Sequence, residues 1–160
     1  MLAPRKFNAP PARCPRVTFS TLRFRAICHA TEDEARVRQA LEFVSGGAPI
    51  SVGATKGHHG NRIAVLESEL SKKKDIEAFW RRAEGAGLVE ALLARLDSAL
   101  GDDLWLGMRL DKQEALAGRL AFDEGGDVVH TRARAAAYPA TLENARRAVV
   151  DYFELICKVA

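Results

Sequence analysis

Apolar and polar residues alternate along the first structured part of the chain, from about residue 17 to residue 28. The apolar phase consists of Leu22, Phe24, Ala26 and Cys28, whereas Arg23 and Arg25 lie in the other phase. A period of two is typical of a strand with one buried face. The same pattern predicts strands at about 49–55, 63–70, 104–111, 120–123 and 127–137. Gly125 and Gly126 are suited to the hairpin turn between the last two.

Segments with a helical period separate these strands. The first ends near Val44, where two glycines follow, and the second covers residues 72–100 with an interruption near Gly85 and Gly87. The predicted N-caps of the three helical regions are Thr31 (in a capping box with Glu34), Ser71 and Thr141. This order of elements predicts an α+β fold. We expect a mostly antiparallel sheet of about five to six strands with helices covering one face.

The polar phase of the strands predicts the composition of the other sheet face. It collects Arg23, Arg25, Arg109, Arg119, His130, Arg132 and Arg134. Guanidinium groups pair with phosphates and stack on planar rings, so this face suits RNA. Glu67, Glu69 and Asp123 lie in the same phase, which leaves a solvated lattice of ion pairs as the alternative. Only two aromatic residues, Phe19 and Trp105, share the phase.

Two polar loops add candidate ligand-binding groups. In the loop 56–61, Lys56, His58 and Asn61 offer donors for a phosphate, and two glycines permit tight turns. A hairpin tip with incidental histidines is the alternative. Lys112 and Gln113 follow a predicted strand, where they either orient a phosphate or base or form a polar strand end.

Length and charge place these elements in one domain. The chain has 160 residues and a net charge of +3, and six of its 24 lysines and arginines precede the first acid, Glu32. Four of the six prolines lie within residues 1–15, which predicts a flexible leader ahead of a single domain at 16–160. No apolar run has the ~20 residues that span a bilayer, so we expect no membrane partner. Cys14, Cys28 and Cys157 are scattered, which suits reduced thiols in a cytoplasm.

The sequence offers no pattern for catalysis or for a cofactor. The adjacent histidines 58 and 59 have no Cys, His or acidic residues at ligand spacing, so no metal site is expected. The serines lack a nucleophile elbow and the cysteines lack an identifiable histidine partner. We therefore expect a protein that is not an enzyme.

Five short strings resemble a known family. They are His29-Ala30-Thr31-Glu32-Asp33, Gly57-His58-His59-Gly60-Asn61, Arg109-Leu110-Asp111-Lys112-Gln113, Glu124-Gly125-Gly126-Asp127 and Tyr138-Pro139. In this order, over about Val17 to Ile156, they resemble an archaeal family of small RNA-binding proteins described as predicted exosome subunits. That family is similar in fold to the ribosomal protein that binds 5S ribosomal RNA. The proline-rich leader, and His59 where the family often has an aromatic residue, depart from the pattern.

The resemblance implies RNA binding, a link to the archaeal RNA exosome and no catalytic residues. Its motif residues in this chain are His29, Lys56, His58, Asn61, Arg109, Asp111, Lys112, Gln113 and Tyr138. Combined with the arginine-bearing face, it predicts an RNA-binding set of Arg23, Arg25, His29, Lys56, His58, Asn61, Arg109, Lys112, Gln113, Arg132 and Arg134. The alternative is a protein-interaction adaptor in an RNA-processing or ribosomal complex that does not itself contact RNA.

Overall fold

The alternating segments form one antiparallel sheet in the order β2-β3-β1-β5-β4. A computed structural model describes residues 18–159. Its strands are β1 (Phe19–Cys28), β2 (Ile50–Lys56), β3 (Arg62–Leu70), β4 (Trp105–Asp111) and β5 (Val128–Ala135). Its helices are α1 (Glu34–Ser45), α2 (Lys73–Gly85), α3 (Leu88–Ala94), α4 (Leu96–Ala99), α5 (Lys112–Leu116) and α6 (Leu142–Val159). The predicted α+β class is confirmed.

The helices cover only one face of the sheet. The apolar phase of β1 is buried in a single core together with Leu41 of α1, Phe79 and Trp80 of α2 and Phe153 of α6. Burying each large apolar side chain contributes about 1.5–3 kcal/mol, which is the main force that holds the two layers together. Only Ile50 of β2 packs against this core, and the other six residues of the strand are exposed. In the part of the chain described, only the short helix α4 approaches the opposite face, at the β4 edge, where the Ala99 carbonyl lies beside Gly107. We call this face the open face.

Two of the three predicted N-caps are corrected. Helix α1 begins after Asp33, whose carboxylate accepts a hydrogen bond from the Ala35 amide at 2.9 Å, so Thr31 is not the cap. The residue before α2 is Lys72, which makes no side-chain capping bond, so Ser71 is not the cap either. Thr141 is confirmed because its hydroxyl accepts from the Asn144 amide at 3.2 Å. In the two failed cases a neighbouring residue took the extended backbone conformation that the cap position needs.

The predicted strand at 120–123 is wrong. The chain forms a short helix, α5, directly after β4, and Asp111 caps it by accepting from the Glu114 amide at 2.8 Å. Residues 120–123 then return along the outer edge of β4, where they form only an isolated bridge between Phe122 and Leu110. Because residues 112–116 form the helix α5, residues 120–123 do not form a regular hairpin strand with β4. The sheet therefore has five strands within residues 18–159.

Phe19 lies in the core rather than on the open face. The register of β1 against β5 shifts between Phe19 and Thr21, so two successive residues of β1 face away from the core at this point. An irregularity of this kind reverses the alternation on one side of it. The Phe19 ring stacks on Trp80 with 4.7 Å between the ring centroids, and only 2% of the residue is exposed.

The predicted leader at 1–15 and the domain boundary at residue 16 lie outside the described residues. Both stay predictions.

Candidate nucleic-acid interface

Two cross-strand rows of charged residues define the centre of the open face. In the first row Glu69 of β3, Arg23 of β1 and Arg132 of β5 lie side by side. Two arginines therefore face each other directly on neighbouring strands. Like charges in this arrangement destabilise a sheet, so the demands of folding do not explain the pair.

The second row repeats the pattern one step along the strands. Glu67, Arg25, His130 and Arg109 follow one another across β3, β1, β5 and β4. Partial burial lowers the pKa of His130, and the positive charges of Arg109 and Arg25 lower it further. The imidazole therefore lies between two cations, which disfavour its protonated form.

Glutamates of β3 pair with the arginines of β1, as the ion-pair alternative expects. The Arg23 Nε atom lies 2.8 Å from a Glu69 carboxylate oxygen, and the Arg25 Nε atom lies 3.8 Å from Glu67. All four side chains are at least half exposed, so these pairs contribute little to stability. A guanidinium has five N–H donors, and each pair engages Arg23 or Arg25 through Nε.

Trp105 lies among three arginines at one end of the open face. Its ring centroid is 5.1 Å from the guanidinium carbon of Arg23, 5.1 Å from that of Arg132 and 5.7 Å from that of Arg134. These distances permit cation–π attraction. We call the four residues the Trp105 platform.

Asp103 organises the platform. One of its carboxylate oxygens accepts a hydrogen bond from Arg132 at 2.7 Å, and its main-chain carbonyl accepts from Arg134 at 2.9 Å. The other carboxylate oxygen accepts from the Trp105 amide at 3.2 Å. The hydrogen bond from the Trp105 amide and the Arg132 guanidinium together outweigh the desolvation of the Asp103 carboxylate, and they lower its pKa. The residue was not identified from the sequence, although it lies only two positions before an in-phase tryptophan.

A groove of about 1020 Å³ runs along the open face beside the platform. Arg23 and Arg132 line it at the platform, and Arg25 and His130 continue the lining along the strands. Its opposite wall includes Ile50 and Ser51 at the start of β2. The platform and the groove therefore form one continuous surface.

Lys112 is at the other end of the sheet and is 4% exposed. Its ammonium donates to the Ile27 carbonyl at 2.8 Å and lies 2.9 Å from a Glu32 carboxylate oxygen and 2.7 Å from Asp127. Burial alone would lower the pKa of Lys112, but the two carboxylates outweigh it and raise the pKa. All three N–H donors are engaged within the chain, so the side chain holds loops together and offers nothing to a ligand.

The remaining motif residues lie around this anchored end. The His29 side chain is exposed on the loop after β1, and Gln113 donates to Asp127 at 2.9 Å. Lys56, His58 and Asn61 are exposed at the β2–β3 hairpin. The Gly57 amide donates to the Asn61 carbonyl at 2.7 Å, which closes the turn. These residues belong to loops at the same sheet end because β1, β2 and β4 all finish there.

Arg119 does not join the open face, which corrects the predicted set. It follows α5 rather than lying in a strand, and its guanidinium Nε binds Glu114 at 2.6 Å. Arg109 is on the face, where it donates to the Gly125 carbonyl at 2.6 Å. Residues 18–159 bring together no three His, Cys, Asp or Glu side chains that would hold a metal ion. No helix among them is long and apolar enough to cross a membrane.

The sequence matches a protein family described as RNA binding over residues 21–135, the segment that runs from within β1 to the end of β5. The chain belongs to this RNA-binding family. A relative named as an RNA-binding protein, from Pyrococcus abyssi, is 31% identical over 142 residues, which cover 83% of this chain and 92% of that protein.

Solved structures from archaea share the fold. A protein of Archaeoglobus fulgidus superposes with a TM-score of 0.75 at 31% identity, covering 84% of this chain and 99% of that one. A protein of Methanothermobacter thermautotrophicus gives a TM-score of 0.71 at 29% identity, with 84% and 98% covered. Both are described as members of a family of unknown function numbered 54. The RNA-binding family therefore has solved archaeal relatives with the architecture derived above.

Proposed function

We propose that the protein binds RNA through the open face. The observation that supports this most directly is the direct opposition of Arg23 and Arg132 on neighbouring strands, beside Arg25 and Arg109. In the free protein Glu69 and Asp103 each offset one of the two charges, and phosphates that lie on the surface can offset both in the same way. Membership of the RNA-binding family supports the same class of ligand.

The ion pairs with β3 do not cancel the charge of the face. The face carries five arginines (Arg23, Arg25, Arg109, Arg132 and Arg134). Its acids are Glu67, Glu69 and Asp103, and Asp123 and Glu124 line a cavity at its β4 edge together with Arg109 and Arg132. Surface pairs of this kind exchange partners at little cost, so a phosphate can replace a carboxylate or bind beside it. The arginines therefore remain available to a polyanion even though acids lie beside them.

The loops at the Lys112 end supply the second part of the proposed interface. His29, Lys56, His58, Asn61 and Gln113 carry exposed donors on adjacent loops. We include them as contacts to the RNA backbone beyond the sheet. Lys112 is included only as the residue that positions these loops, because its own donors are engaged.

We further propose that the protein is a non-catalytic accessory subunit of an archaeal RNA exosome and that it acts in the cytoplasm. The free thiols of Cys28 and Cys157 suit a reducing compartment. The relation to the 5S-rRNA-binding ribosomal protein belongs to this proposal as well. Exosome or ribosome-associated proteins are its proposed protein partners.

A protein-interaction adaptor without RNA contact is the second candidate. The pairing of Arg23 and Arg25 with Glu69 and Glu67 favours it. A docking helix would expose a continuous apolar patch. The large apolar side chains exposed within residues 18–159 are instead dispersed over β2, the β5–α6 loop and the two ends of α6, namely Val52, Tyr138, Leu142 and Val159. This distribution favours RNA.

Binding of labelled RNA to the full chain at about 50 and about 200 mM salt tests the proposal. The double variant Arg23→Glu, Arg132→Glu should lose most of the affinity. The control, Arg81→Glu with Arg147→Glu, makes the same charge change on α2 and α6 at arginines that also have acidic partners, and it should bind nearly as the unaltered protein does. Absence of RNA binding by the folded unaltered protein, or equal losses in both variants, would contradict the proposal and favour the adaptor.

A further inference from the structure

The Trp105 platform has a chemical character that phosphate binding alone does not require. Phosphates need only cations, whereas here three guanidinium groups are gathered around one indole ring. The ring is half-buried and lies on the face of the sheet away from the core. It therefore adds nothing to the packing between the sheet and the helices.

Each arginine of the platform also makes a hydrogen bond to a group other than the Trp105 ring. Glu69 holds Arg23, the Asp103 carboxylate holds Arg132, and the Asp103 carbonyl holds Arg134. The planar groups are therefore positioned before any ligand arrives, so less conformational entropy is lost on binding. A set of planar cations around an aromatic ring is a surface on which another planar ring can stack.

The groove that continues from the platform provides a path for a chain of nucleotides. Arg23 and Arg132 belong to both the platform and the groove, and Arg25 and His130 lie further along it. A nucleotide whose base stacks at the platform thus has Arg23, Arg132 and Arg25 beside it for the adjoining phosphates, and Glu67 and Glu69 line the same groove.

We propose that the Trp105 platform stacks an unpaired base, and that the RNA recognised by this face is single-stranded. The inference rests on the proposed RNA binding and adds the class of RNA. In an A-form duplex the bases are stacked on one another and unavailable to a side chain, whereas single strands and loops can turn a base outward. A duplex meets this face through its phosphates only.

The test compares a single-stranded RNA of about 12 nucleotides, without self-complementarity, with the blunt duplex that it forms with its complement. Fluorescence anisotropy gives both affinities for the full chain and for Trp105→Leu and Trp105→Phe. We expect the single strand to bind more tightly than the duplex. Trp105→Leu should weaken single-strand binding between about five-fold and about 150-fold, the range expected for loss of one base–aromatic stack. Trp105→Phe should retain most of the affinity, and duplex binding should change little.

Phe43→Leu provides the matched control. Phe43 is a half-buried aromatic residue with the Arg82 guanidinium carbon 5.6 Å from its ring centroid, but it lies on α1 in the helical layer. This variant should bind the single strand as the unaltered protein does. Circular dichroism of each variant confirms that it is folded before its affinity is measured.

Intrinsic fluorescence supplies a second measurement. The chain has two tryptophans, and Trp80 is fully buried in the core. Quenching by the single strand should therefore come from Trp105 and disappear in Trp105→Leu.

Equal affinity for single strand and duplex, or an unchanged affinity in Trp105→Leu, would overturn the stacking inference while leaving RNA binding in place. If the unaltered protein binds neither RNA, the proposed function itself fails.

Discussion

At the scale of single residues, the Lys112 ammonium joins three segments that are far apart in the sequence. It contacts the end of β1, the loop before α1 and the segment before β5 through Ile27, Glu32 and Asp127. Removing the charge leaves two carboxylates without their cation in a partly buried place. Loss of one partner is costly there because the desolvated charge that remains has no compensation.

We therefore expect Lys112→Met to lower the free energy of unfolding by about 2–3 kcal/mol, below the range for fully buried pairs because both carboxylates are partly solvated. Urea denaturation measures the change. Lys56→Met, at the exposed hairpin, is the control and should change stability by less than about 0.5 kcal/mol. A Lys112→Met protein as stable as the control would mean that the ammonium does not hold the loops.

We expect His130 to make RNA binding at the open face depend on pH. Partial burial, Arg109 and Arg25 lower its pKa in the free protein, whereas nearby phosphates would favour the imidazolium. RNA binding then takes up a proton, so affinity should rise as the pH falls from about 7.5 to about 5.5. In the absence of RNA, the lowered pKa of His130 affects the stability of the protein, and this effect is unfavourable at low pH. The unfolded chain binds this proton more readily, so His130 reduces stability as the pH falls below about 6.5.

Affinity measured across this pH range for His130→Gln should show a flatter dependence than for the unaltered protein. His59→Gln at the exposed hairpin should keep most of the dependence. If His130→Gln leaves the slope unchanged, phosphates do not approach the centre of the open face.

At the scale of elements, one irregularity in β1 decides which side of the sheet an aromatic ring faces. Phe19 has the same phase as Arg23 and Arg25, yet the register shift turns it into the aromatic cluster with Trp80, Tyr152 and Phe153. The ring thereby joins the start of β1 to α2 and α6.

Phe19→Ala should consequently destabilise the protein by about 3–5 kcal/mol, the usual range for deleting a buried aromatic ring. Thermal or urea unfolding gives the value. Val52→Ala, on the exposed strand β2, should change stability by no more than about 0.5 kcal/mol. A small effect of Phe19→Ala would indicate that the Phe19 ring lies on the open face, and it would contradict the irregularity in β1.

At the scale of the whole molecule, the two-layer arrangement leaves the cationic face of the sheet open. Binding of single-stranded nucleic acid releases counterions with a slope of about −0.7 in log affinity against log salt for each neutralised phosphate. Arg25 and Arg109 occupy the same row of the open face, on either side of His130.

The variant Arg25→Gln, Arg109→Gln should therefore reduce the steepness of the salt dependence by about 1.4. The control Arg81→Gln, Arg147→Gln on the helical layer should leave it unchanged. A slope that falls equally in both variants would indicate long-range attraction to the whole protein rather than contacts at this face.

The sequence by itself determined the elements whose pattern is local. Alternation along β1 placed Arg23 and Arg25 opposite the core, and the helical period correctly placed the end of α1 near Val44. Thr141 was identifiable as a cap because capping involves residues only a few positions apart. The sheet and its arginine-rich face could be predicted because a strand's two faces alternate at every second residue.

Only the tertiary structure decided what each exposed or polar residue contacts. Arg119 had the phase of a face residue, but the helix α5 took it out of the sheet. Lys112 had the character of a free cation, but carboxylates 80 positions earlier and 15 positions later enclose it. The Trp105 platform needs three strands in one register. The physical reason is the same throughout: register, burial and ion pairing join residues distant in the chain, and a local period contains no information about them.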